Sequence, residues 1–128
     1  MEPIRIEATK STPFIHIDPS ANIVHIKGES YPENAAKFFG PILSSIGKYL
    51  NSSGASRITV DLQLTYFNSS SSKALLNFFE MLDQAASEGK DIVVNWSYHP
   101  DNEIILEAGE EFRDEAQALT FNFVQTRL

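Results

Sequence analysis

The run Tyr66-Phe67-Asn68-Ser69-Ser70-Ser71-Ser72-Lys73 sets four consecutive hydroxyls between an asparagine and a lysine. Hydroxyls in such a run can act as nucleophiles, cap a helix or accept a phosphoryl group. A serine nucleophile needs a base and an acid to orient it. The flanks here are not those of a glycine-flanked nucleophile elbow. Ser70 and Lys73 have a Ser-x-x-Lys spacing, but its two companion motifs are missing and the chain is too short for such an enzyme. No glycine-rich phosphate loop exists, which argues against nucleotide chemistry. Capping and phosphorylation remain. One cap needs one hydroxyl, not four.

The elements around the run give both readings a place. Before it, Ile58, Val60, Leu62 and Leu64 alternate with Thr59, Asp61 and Gln63, the period of a strand with one buried face. After it, Leu75, Phe78, Phe79, Leu82 and Ala86 fall at helical spacing, with Glu80, Asp83 and Gln84 opposite. The serines therefore sit where a strand hands over to a helix spanning roughly Ser70 to Glu88. There the first backbone N–H groups lack partners and the helix dipole is positive, so a cap or a phosphate is welcome.

Other polar clusters carry less. His16 and His25 could face each other across a hairpin, but no third ligand follows at a metal-binding spacing. The acid-rich stretch from Glu103 to Asp114 lacks an oxygen-ligand loop pattern and reads as a solvated helix face. No metal, cofactor or catalytic residue is expected.

A chain of 128 residues with 42% hydrophobic and 21% charged residues fits one globular domain over residues 1–128. Without cysteine it can form neither disulfides nor thiolate metal sites. Met1-Glu2-Pro3-Ile4-Arg5 is not a signal peptide, and no apolar run could span a bilayer, so a cytoplasmic protein is expected. Ten basic against seventeen acidic residues give a net charge of −7, which argues against nucleic acid and anionic membranes as partners.

In chain order, Ile4–Ile6 suggests a short first strand, and 14–17 and 23–26 form a hairpin over the turn 18–22, ended by Gly28. Ser30-Tyr31-Pro32-Glu33-Asn34 opens a helix with Phe39, Ile42, Leu43, Ile46 and Leu50 on one face. Gly40-Pro41 predicts a kink or break in it. After the central strand and helix come a strand from Ile92 to Ser97, a turn, a helix capped by Asp101 or Asn102, and a last strand from Leu119 to Phe123. In that last helix Ile105, Ala108 and Phe112 share a face. A hairpin followed by strand–helix units implies a small α/β domain with a mixed, mostly parallel sheet.

The chain resembles the SiaC family of bacterial regulatory phosphoproteins. The resemblance is carried by Ser11-Thr12-Pro13, Gly28-Glu29-Ser30-Tyr31-Pro32-Glu33-Asn34, Leu64 with Tyr66-Phe67-Asn68-Ser69-Ser70-Ser71 and Lys73, Trp96-Ser97-Tyr98, and Glu107 to Phe112. It implies a fold similar to the STAS domains of anti-sigma-factor antagonists, and no enzymatic activity. It also implies partner switching. A dedicated Ser/Thr kinase adds a phosphate, a PP2C-type phosphatase removes it, and the unmodified form binds and activates an effector such as a diguanylate cyclase, as in c-di-GMP signalling. The acceptor directly follows the asparagine of the Asn-Ser/Thr-Ser-Ser motif, which here is Ser69. The serine run leaves Ser70 as the rival. Partner contacts are expected from Tyr66, Asn68, Ser69, Ser70 and Lys73. The alternative is a small-ligand-binding STAS-like domain without phospho-switching.

Overall fold

A computed structural model of the chain describes residues 1–126. Strands β1 (Ile4–Ile6), β2 (Phe14–Asp18) and β3 (Ile23–Ser30) pair antiparallel. Parallel to β3 follow β4 (Ile58–Phe67), β5 (Ile92–Tyr98) and β6 (Thr120–Gln125). Helices α1 (Ala35–Ser52), α2 (Ser69–Ser87) and α3 (Glu103–Glu115) fill the crossovers. Strand order along the sheet equals chain order. Right-handed crossovers that always step the same way lay all the helices on one face.

The burial pattern agrees with this two-layer arrangement. Ile15, Ile17, Val24, Ile26, Val60, Leu62, Val94 and Trp96 form a single core with Ile42, Ile46, Leu75, Phe78, Leu82 and Phe112 from the helices. The opposite sheet face carries a polar row in register, Arg5–His16–His25–Asp61–Asn95–Asn122. His16 and His25 do stand opposite each other, yet His25 Nε2 lies 3.0 Å from Asp61 Oδ2, across to the next strand.

Three expectations change. Gly28 does not end its strand: its positive φ of 116° admits a register shift at Gly28/Glu29, and β3 continues to Ser30 beside Phe67. Gly40-Pro41 does not break α1, which runs unbroken over 18 residues. Pro41 is exposed, so the hydrogen bond it cannot make falls on the solvent side, while Phe39, Ile42, Ile46 and Leu50 hold the helix to the core. On α3, Ile105, Ala108 and Phe112 do pack against the core, joined there by the buried Gly109. The Trp96 indole lies over it and donates from Nε1 to the Ile105 carbonyl at 2.9 Å. Finally, β6 starts at Thr120 and reaches Gln125, so Leu119 belongs to the loop before it.

Candidate functional site

The serine run lies at the carboxyl edge of the parallel strands, where β4 enters α2. No serine caps the helix, contrary to the capping alternative. Asn68 does so, its side-chain oxygen accepting from the Ser71 N–H at 3.0 Å. All four serines are therefore inside the first turn of α2. An asparagine reaches the same N–H as a serine would, and sequence alone does not separate the two.

The turn is tied to its neighbour strand at two points. The Asn68 N–H donates to the Ser30 carbonyl at 3.0 Å. Below it, the Ser30 and Ser71 hydroxyls pair at 2.8 Å, both in the dry interior. Ser71 is thus committed to the fold, and Ser72 is half-buried. Ser69 and Ser70 face solvent. The first turn of α2 contains no acidic residue, so its N-terminal partial charge is uncompensated by a side chain.

Around these hydroxyls the other expected residues divide by role. Lys73 is exposed one turn on and makes no ion pair among the described residues. Tyr66, 51% exposed at the end of β4, meets the ring of Tyr31 edge-on at 5.9 Å. Asn68 is half-buried and structural. Beside Ser70 and Lys73 a groove of about 540 Å³ runs between α2 and α1, lined across from them by Asn34, Phe39 and Leu43. Sequence reasoning missed Ser30, which it placed at the start of a helix. Its true place, at the end of a strand, depends on the bulge at Gly28.

The family model of the SiaC family regulatory phosphoprotein matches residues 6–126. The chain belongs to that family. It is 35% identical, over 115 residues covering 90% of each chain, to an uncharacterized protein of Pseudomonas aeruginosa strain UCBPP-PA14. It is similar to the crystal structure of apo-SiaC from Pseudomonas aeruginosa, with a TM-score of 0.88, 31% identity and coverage of 97% of this chain and 99% of that one. It is also similar to a chain in the crystal structure of the diguanylate cyclase SiaD with its activator SiaC from the same organism. There the TM-score is 0.90, the identity 32% and the coverage 96% and 99%. The SiaC of that structure binds an enzyme and activates it.

Among the described residues of this SiaC-family chain, no group of three or more histidine or acidic side chains could hold a metal. Among the same residues no helix is long and apolar enough to cross a membrane.

Proposed function

We propose that this chain is a cytoplasmic partner-switching protein whose unmodified form binds and activates an effector of the diguanylate cyclase class. A dedicated Ser/Thr kinase phosphorylates Ser69 and so releases the effector, and a PP2C-type phosphatase restores binding. The observation that carries this reading is the division of labour in the turn. Asn68 and Ser71 hold the helix start, which leaves Ser69 exposed with no structural duty.

A phosphate on Ser69 adds about −1.5 to −2 charges at an uncapped-by-acid helix N-terminus, which favours it without unfolding anything. Against a docked partner the same phosphate is desolvated. Burying it there without a cation to meet it costs several kcal/mol, set against about 8 kcal/mol for a micromolar complex. The switch then acts through desolvation and repulsion at a surface that includes Tyr66, Ser70 and Lys73.

The test is a pull-down from lysate of the native bacterium with wild type, Ser69→Ala, Ser70→Ala and Ser69→Glu as bait, with phosphopeptides mapped across Tyr66 to Lys73. A cyclase or other effector should come with the first three and not with Ser69→Glu, and the phosphate should lie on Ser69. Identical partners for all four baits, with Ser69 never modified, would overturn the reading. A phosphate on Ser70 alone would move the switch by one residue.

A further inference from the structure

The parallel strands do not stay paired to their ends. β4 continues beside β3 to Phe67, and β5 continues beside β6 to Tyr98, yet the β4–β5 ladder stops at Leu62–Trp96. Beyond that pair the sheet parts into two halves. A cavity of about 400 Å³ opens there, with Gln63 and Thr65 on one wall and Ser97 and His99 on the other. Asn102 bridges the gap, donating from Nδ2 to the Thr65 carbonyl at 3.0 Å. The β3–β4 register skips Thr65, so this carbonyl sits at the bulge. In open α/β sheets a ligand crevice normally forms where strand order reverses. Here the order never reverses, and the parted ladder creates a crevice instead.

The lining is chemically one-sided. Among the described residues it contains no carboxylate, in a chain with seventeen acidic and ten basic residues. Lys27 reaches it from β3, and neither its ammonium nor the Gln63 amide has a side-chain partner among the described residues. The His99 Nδ1 accepts from the Asp101 N–H at 3.0 Å, so in the neutral ring Nε2 carries the hydrogen and can donate. Two nearby acids are engaged or turned out, although Asp61 shares an adjoining hollow with Lys27 and Gln63. Asp61, one row back along β4, is held by His25 Nε2 at 3.0 Å and Asn95 Nδ2 at 2.9 Å. Asp101 is exposed, 3.7 Å from the His99 Nδ1 side of the ring.

We infer that the cleft between the parted ends of β4 and β5 binds a small organic anion, a carboxylate or a phosphate monoester, held by Lys27 with Gln63 and His99 as donors. The volume suits a small metabolite. The cleft shares no lining residue with the groove beside Ser70, so this inference stands apart from the phospho-switch.

The experiment is an amide-shift titration of the isotope-labelled full chain with succinate, orthophosphate and adenosine monophosphate, each to millimolar excess. At least one probe should give saturable shifts centred on Gln63–Thr65 and Ser97–Asn102. Succinate alone would mark a carboxylate site, and the two phosphates a phosphate site. Lys27→Gln, at an exposed position, should keep the native spectrum and weaken that binding by about tenfold or more. No saturable shift with any probe would overturn the inference. So would equal affinity in Lys27→Gln, or shifts centred elsewhere, such as around Lys73.

Discussion

The hydroxyl pair beneath the serine turn gives the sharpest test of how the site is built. Ser30 and Ser71 are 1% and 0% exposed, and each is the other's side-chain partner at 2.8 Å. Removing one hydroxyl does more than delete a bond worth about 1 kcal/mol; it strands the other in a dry interior, for a total of about 1–3 kcal/mol. Ser30→Ala and Ser71→Ala should each lose that much. The double variant strands nothing, so its loss should be close to one single loss rather than the sum, a coupling of about 1–3 kcal/mol. Urea unfolding followed by the fluorescence of Trp96, the one tryptophan and 1% exposed, reads all four proteins. The slope should stay constant while the midpoint moves. Losses that add to within about 0.5 kcal/mol would refute the reasoning, because uncoupled sites add. Because the Ser71 N–H still finds Asn68, Ser71→Ala should also leave phosphorylation of Ser69 intact.

Three further outcomes follow from other contacts. Asn68→Ala removes the α2 cap and should cost about 1 kcal/mol, with faster amide exchange at Ser71; unchanged exchange there would mean that another group caps the helix. Gly109→Ala would put a Cβ 2.5 Å from the Trp96 Nε1, so thermal unfolding should show a loss of about 1–3 kcal/mol despite the better helix propensity of alanine. Full stability would mean that the indole can shift. Ser20→Ala should raise the Asp18 pKa, read by NMR titration, because the Ser20 hydroxyl at 2.7 Å is the main cause holding it below 3.8. Since the folded value is the lower one, Asp18 stabilises the fold above the ordinary value and loses that contribution as pH falls through the depressed one. Ser20→Ala should shrink this acid-side loss; an Asp18 value that does not move would assign the effect to the Ser20 and Ala21 amides.

The elements were legible wherever one face is buried. Ile58 to Leu64 alternate because β4 has helices on one side and water on the other, and Leu75 to Leu82 repeat every three or four residues for the same reason. Special backbone was harder. Gly28 reads as a strand end and is a bulge; Gly40-Pro41 reads as a kink or break, and α1 runs unbroken through it because the cost falls on the exposed side. The exposed Ser69 could be placed at the strand-to-helix turn from the sequence, but the support of that turn could not. Ser30 and Ser71 lie 41 residues apart, and the parted β4–β5 ladder involves strands whose individual patterns give no sign of where pairing stops. Contacts between elements leave no periodicity to read.

The layering also explains why one helix start of the three suits a phosphate. Each helix follows a parallel strand and is capped by an asparagine, Asn34, Asn68 or Asn102, accepting from the N–H three residues on. The residue after the cap differs: Ala35, Ser69 and Glu103. Ala35 has no hydroxyl to modify. Glu103 already places a negative charge at the equivalent position of α3, where the helix dipole favours it. The fold thus carries its own example of an anion just after the cap, at an exposed site, with the helix intact. Ser69→Glu reproduces that arrangement on α2. It should fold with wild-type stability to within about 0.5 kcal/mol, the usual range for an exposed substitution. A loss of effector binding in that variant would then report on the surface alone, and a large loss of stability would show that α2, unlike α3, does not tolerate charge at its start.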